Sequence, residues 1–191
     1  MVQDHMASTQ VHMPVENTAR IVLEIPQIEC VKLESPPTPA KIAQFRKILK
    51  EEERDVSVMC GLGALYGMFE LEAGADGFMT GFAFPEILKA IVSAHNSRDS
   101  EKAWSLYKRF LPLIVFEQQP GVGVRKELYR MRGLLECPHV RHPAPGVTPM
   151  AASMLRSVIE DSFGGPKAFD ITRPLTQGDL AALIDIRNVS L

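Results

Sequence analysis

The run Cys30-Val31-Lys32-Leu33-Glu34 sets an amine and a carboxylate two residues apart inside a segment apolar enough for a buried strand. Strand alternation puts Cys30, Lys32 and Glu34 on one face and Val31 and Leu33 on the other. Lysine is rare in buried strands, because desolvating an ammonium is costly unless it is paired or loses its proton. An amine held in a dry site gives up its proton more readily and becomes a nucleophile toward carbonyl carbon, which is Schiff-base chemistry. The competing reading is a strand-end lysine whose ammonium reaches water along its apolar stem. Residue types alone favour that second reading.

Other residue clusters carry less. Cys137-Pro138-His139-Val140-Arg141-His142 has metal-ligand residue types, but its spacing fits no standard zinc pattern and reads as a loop with surface histidines. Gly121-Val122-Gly123 lacks the preceding strand and third glycine of a dinucleotide-binding turn. Trp104, Phe110 and Phe116 read as core or helix-interface residues. His5 and His12 read as loop histidines, although His5 could donate a hydrogen bond to a substrate.

The elements that would position Lys32 follow from periodicity. Val2–Asp4 is extended and leads into a polar loop over His5–Gln10. A one-sided helix follows over Val15–Leu23, then a strand over Ile28–Leu33 closed by Ser35-Pro36-Pro37. Thr38-Pro39 opens a helix as N-cap and first helical residue, with Ile42, Phe45, Ile48 and Leu49 as its apolar stripe. The period repeats with a strand over Val56–Cys60, a helix over Ala64–Ala73, a strand over Gly77–Gly81 and a helix over Glu86–His95. Strands alternating with helices of this length imply right-handed crossovers and a parallel sheet. After residue 97 the pattern turns purely helical: Ser100–Gln119, with Pro112 expected to kink it or shift its end, then Gly123–Arg132 and Met150–Phe163. The segment Cys137–Pro149 is loop, and residues 164–191 form a weakly patterned tail with a helical piece over Gln177–Ile184. The expected organisation is thus 1–97, 98–163 and 164–191.

Composition narrows the function classes. The 191 residues are 46% hydrophobic and 23% charged with a net charge of −2, so no electrostatic case exists for nucleic acid or an anionic membrane. No apolar run reaches the roughly 18 residues of a membrane span. The start MVQDHMASTQ has neither the basic nor the apolar region of a secretory signal. Three widely spaced cysteines suggest no disulfide framework, and a reducing, cytoplasmic setting is expected.

Several of these pieces, taken in order, resemble the dihydrodipicolinate synthase and N-acetylneuraminate lyase family of Schiff-base aldolases. Val31-Lys32-Leu33-Glu34 is similar to the family's sixth barrel strand, where an apolar residue precedes the nucleophilic lysine and a glutamate lies close behind. Gln3-Asp4-His5-Met6-Ala7-Ser8-Thr9-Gln10 resembles the loop after strand five, usually Tyr-Asn-x-Pro-x-x-Thr-Gly. Cys60-Gly61 sits like the glycine ending strand seven, and Gly74–Thr80 resembles the glycine-flanked strand eight. Leu111-Pro112-Leu113 and Val124-Arg125-Lys126-Glu127 fit the C-terminal helices beside the barrel. The match covers residues 1–140. The fold implied is α/β: a partial (β/α)8 TIM barrel, strands five to eight, with a helical C-terminal extension.

The resemblance implies Lys32 as the catalytic residue and Gln3, Ser8, Thr9, Gly61 and Met79 as substrate-binding positions. It implies a lyase acting on pyruvate or another 2-keto acid, with no metal or organic cofactor, as a homo-oligomer. Two departures stand out. Gln3 occupies the position of a tyrosine proton relay, with Met6 and Gln10 replacing the loop's proline and glycine. Strands one to four and their Thr-Thr-Gly carboxylate-binding loop have no counterpart, whereas a closed barrel has eight strands. The alternative expectation is therefore a truncated, inactive family fragment or a non-enzymatic assembly module.

Overall fold

A computed structural model describes residues 1–118, 121–165 and 168–185. The chain divides into two compact units, Met1–Thr80 and Gly81–Leu191.

The first unit is built on a four-stranded parallel sheet in sequence order: β1 (Val2–Asp4), β2 (Cys30–Leu33), β3 (Ser57–Cys60) and β4 (Gly77–Phe78). Between them run α1 (Met6–Thr9), α2 (Val15–Glu24), α3 (Thr38–Glu51) and α4 (Gly67–Glu72). This is the α/β alternation that the sequence implies. One sheet face is a dry core: Val31, Leu33, Val58 and Cys60 are fully buried with Val22 of α2, Ile42 and Phe45 of α3, and Met68 of α4. Full burial of one such aliphatic or aromatic side chain contributes about 1.5–3 kcal/mol. The register places Gln3, Lys32, Met59 and Gly77 side by side in one row. Alternation points that row away from the core face.

Two polar devices fix the sheet to its helices. Asp4 is buried at the end of β1, where Ser35 Oγ donates to it at 2.7 Å and Lys41 Nζ of α3 closes an ion pair. Lys41 also donates to the Met13 carbonyl at 2.6 Å, tying down the loop before α2. Arg46 of α3 donates to the carbonyls of Gly74 and Val56 at 2.7 and 2.9 Å and pairs with Asp76. Gly74 has φ +106°, and a Cβ there would lie 3.1 Å from the Arg46 stem, so position 74 favours glycine on both counts.

Several boundaries differ from the sequence reading. The segment His5–Gln10, expected as loop, contains α1, because the Ser8 and Thr9 amides turn back onto the His5 carbonyl at 3.1 Å. Thr38 is not an N-cap: Pro37 holds that position, and Thr38 sits buried in the first turn. The strand expected over Gly77–Gly81 is only Gly77–Phe78. The helix expected from Ala64 is a 3-10 turn (Leu62–Ala64) followed by α4, because Leu62, Gly63 and Ala64 all have positive φ.

The second unit is helical: α5 (Pro85–Asn96), α6 (Ser100–Phe116), α7 (Val122–Met131), α8 (Pro149–Phe163) and α9 (Gln177–Asp185). Helix α6 continues through Pro112 and ends at Phe116, short of the expected Gln119, which lies outside the described residues, as do 186–191 of the tail. Asp99 caps α6 and Thr148 caps α8, each side chain accepting a first-turn amide. Phe163 packs its ring 5.2 Å from both Phe84 and Phe110 at the centre of the core. That places Phe110 in the core, as its helical spacing suggests.

Charged groups pin the segment leading into α5. Glu117 is fully buried; its Oε1 accepts the Ala83 amide at 3.0 Å and its Oε2 lies 3.5 Å from Arg125 Nε. Arg132 donates to the Ala83 carbonyl, pairs with Glu86, and stacks 4.5 Å from the Phe84 ring centre. Burial pushes the Glu117 carboxyl up to about 7, against the opposing pull of the Ala83 amide and Arg125.

The folded state therefore holds the Glu117 proton after the unfolded chain, near 4.5, has released it. Stability is higher below that window and falls as pH rises from about 4.5 to 7, by on the order of 3 kcal/mol. Glu117→Gln should flatten this dependence while keeping the acceptor for Ala83. Urea unfolding between pH 5 and 8, followed by fluorescence of Trp104, checks it; an unchanged slope contradicts the assignment.

Candidate active site

Glu34 is the residue around which the row on the outer sheet face is organised. It follows β2 directly, its side chain is 5% exposed, and three donors converge on it. Gln3 Nε2 of β1 donates to Oε2 at 2.6 Å, and Lys32 Nζ lies 3.1 Å from the same oxygen. The Leu62 amide donates to Oε1 at 3.0 Å. Lys32 is 13% exposed, so its amine sits against this carboxylate rather than reaching freely into water. An amine and a carboxylate at this separation can exchange a proton directly, a step that converting an ammonium to a nucleophile requires.

The backbone of the next strand end is shaped to fit that carboxylate. A Cβ at Gly61 would lie 1.6 Å from Glu34 Oε1 and 2.2 Å from its Cδ, so only glycine leaves room for the side chain. Leu62, Gly63 and Ala64 then turn through φ values of +47°, +69° and +66°, which aims the Leu62 amide at Oε1. Left-handed backbone costs about 1–2 kcal/mol per non-glycine residue, and such strain is characteristic of functional turns.

The sequence-derived positions divide into two groups. Gln3, Lys32 and Gly61 meet at Glu34. Ser8 and Thr9 turn their hydroxyls onto the His5 carbonyl at 3.3 and 3.0 Å, and Ser8 Oγ also meets His5 Nδ1 at 2.7 Å. Met79 is 38% exposed just past β4, its amide donating to the Cys60 carbonyl at 2.8 Å. Glu34 and the Leu62 amide were not among the expected site positions. The signal for Glu34 was present, since it shares the Lys32 face; nothing in residue type marks a backbone amide.

On the core side, Cys60 is buried with Thr38 and Glu70. Burial, with the Glu70 carboxyl beside it, pushes the Cys60 thiol up, and burial likewise raises Glu70. Burial thus disfavours the thiolate of Cys60 and the carboxylate of Glu70 alike. Among the described residues no group of three or more His, Cys, Asp and Glu is placed to hold a metal ion, and no helix is long and apolar enough to cross a membrane. His139 and His142 are exposed.

No family model matches the chain. It is 31% identical over 160 residues to the L-2-keto-3-deoxyarabonate dehydratase of Azospirillum brasilense, covering 83% of this chain and 50% of that protein. The crystal structure of dihydrodipicolinate synthase from Rhodopseudomonas palustris superposes with a TM-score of 0.79 at 32% identity, covering 83% of this chain and 54% of that one. This chain is a partial dihydrodipicolinate synthase-like protein. The 4-hydroxy-tetrahydrodipicolinate synthase of Methylacidiphilum fumariolicum, at 19% identity and TM-score 0.76, shares the fold over 96% of this chain and 55% of its own. The chain thus spans about half the length of the relatives it matches.

Two outcomes follow for this dihydrodipicolinate synthase-like chain. Gly61→Ala should displace Glu34 and destabilise the first unit by about 1–3 kcal/mol, as expected for a buried carboxylate losing its partners. The same change in a Glu34→Ala background should cost far less, so additive costs in a double-mutant cycle contradict the packing described. In the native chain a thiol reagent should modify exposed Cys137 and spare Cys60 until unfolding. Peptide mass mapping reads the difference, and equal labelling rates contradict it.

Proposed function

We propose that this chain is the C-terminal half of a dihydrodipicolinate synthase family barrel whose Lys32 forms a Schiff base with pyruvate or another 2-keto acid. The observation that carries the proposal is the 3.1 Å approach of Lys32 Nζ to Glu34 Oε2 on the sheet face opposite the core. In this reading β1 to β4 are strands five to eight of the barrel, residues 98–163 are its helical extension, and 164–191 are a tail. Active sites of such barrels lie at the C-terminal ends of the strands, where Glu34 and Gly61 are found.

The chemistry is covalent. The Lys32 amine, its proton passed to Glu34, attacks the keto carbon; the carbinolamine then loses water and leaves a protonated imine. That imine accepts the electron pair released when a proton leaves C3, or when a carbon–carbon bond breaks. A hydroxyl departing from C4 takes up a proton and leaves as water. The dehydratase among the relatives and the absence of a tyrosine at position 3 favour a sugar-acid dehydratase or aldolase. Ser8, Thr9, Gly61 and Met79 line the substrate in this reading, and no cofactor takes part. The same reading has the chain cytoplasmic and self-associating, with neither nucleic acid nor membrane as partner. Self-association draws support from the outer edges of β1 and β4, which have no partner strand among the described residues.

The test is reduction with borohydride in the presence of pyruvate or a 2-keto-3-deoxy sugar acid, followed by tryptic mapping. An adduct on Lys32 should block cleavage there and yield the peptide Ile21–Lys41; Lys32→Arg should abolish it. A folded chain that gives no adduct would instead support the inactive-fragment or assembly reading.

A further inference from the structure

The side chain that carries the inference is Gln3. Position 3 is where the resemblance implies a substrate contact, yet the Gln3 amide faces another side chain of the protein. It pairs in register with Lys32, and its Nε2 reaches diagonally to Glu34 Oε2 at 2.6 Å. Its orientation is set by chemistry: turning the amide over would oppose two acceptor oxygens, so the nitrogen must face Glu34.

Oxygen Oε2 is therefore shared between the Gln3 amide and the Lys32 amine, while Oε1 is held by the Leu62 amide. Of these donors only Lys32 is an acid–base group. A carboxamide and a backbone amide donate permanently, which favours the ionised carboxylate and fixes its plane. A residue at position 3 able to relay protons would divide proton traffic between two groups. Glutamine leaves it on one.

We propose that Gln3 is a positioning residue: it locks Glu34 as an ionised acceptor aimed at Lys32 and thereby makes the Lys32–Glu34 pair the proton-handling centre of the site. The inference rests on the Schiff-base reading for its catalytic meaning. Its physical content, control of Glu34 by Gln3, stands apart from that reading and is tested separately.

Two variants isolate the donor. Gln3→Leu keeps an apolar body of similar reach and removes the N–H; Gln3→Glu keeps the shape, removes the donor and adds like charge. The first measurement needs no substrate: the side-chain carboxyl carbon of Glu34, assigned with a Glu34→Gln control, is titrated by carbon-13 NMR in the full chain. Its midpoint should move to higher pH in Gln3→Leu and further in Gln3→Glu, because losing a donor and gaining a neighbouring carboxylate both disfavour the charged form. Gln3→His, which restores an N–H donor, should bring the midpoint back part of the way. Unchanged midpoints in both donor-less variants overturn the proposal.

The second measurement is the rate of Lys32 adduct formation against pH. In Gln3→Leu the acid limb should shift upward by the same interval as the Glu34 midpoint, with the rate above it within a few-fold of wild type. A uniform drop without a shift would mean that Gln3 merely holds the strand, which also overturns the proposal. If the wild-type chain forms no adduct while the midpoints still move, the Schiff-base reading fails and the control of Glu34 by Gln3 survives. If the adduct forms while the midpoints stay fixed, the Schiff-base reading stands and the control of Glu34 by Gln3 is refuted.

Discussion

A carboxylate almost removed from water must be surrounded by donors, and that requirement organises the strand ends of the first unit. Glu34 is held by a side chain from β1, a lysine two residues back on β2, and an amide beyond β3. Losing any one leaves a buried charge short of a partner, which costs more than the bond itself contributes. The row Gln3, Lys32, Met59 and Gly77 is fixed by strand pairing, but its chemistry is fixed by Glu34. Gly61 belongs to the same constraint, because the carboxylate occupies the space any side chain there would need.

The two sheet faces divide the ionisable groups by what water exclusion does to them. On the core face burial and the closeness of Cys60 to Glu70 disfavour the charged form of the thiol, and burial disfavours that of the carboxyl. On the outer face Glu34 has donors on both oxygens and Lys32 as a counter-charge. Neighbouring strands β2 and β3 thus present ionisable groups to opposite electrostatic environments on the two faces of one sheet. The pleat of a parallel sheet covered on one side produces that division.

Much of this was legible in the sequence. The βα period survives translation into structure because it rests on apolar alternation and on Gly and Pro punctuation, which short-range physics controls. The strand face that Lys32 shares with Cys30 and Glu34 could be read from alternation alone. What escaped is tertiary. Thr38 has the residue type of an N-cap, but its side chain is drawn into the core beside Glu70, so burial overrides local preference. Ala64 reads as a helix start, yet it lies in a left-handed turn that the Leu62–Glu34 bond helps sustain. Gln3 is expected as a substrate contact, and only the register with β2 shows its amide reaching Glu34.

The left-handed turn at 62–64 also sets an order of assembly. Two of its three residues are not glycine, so the turn is unfavourable until something outside it offsets the strain. That offset comes from Glu34, which is in place only after β2 has paired with β3. A conformation that depends on a distant partner cannot lead the chain into its fold; it closes late. The turn that carries the Leu62 donor therefore needs Glu34 in place to keep its shape. Opening that turn takes one donor from Glu34 and leaves the pairing of the four strands untouched.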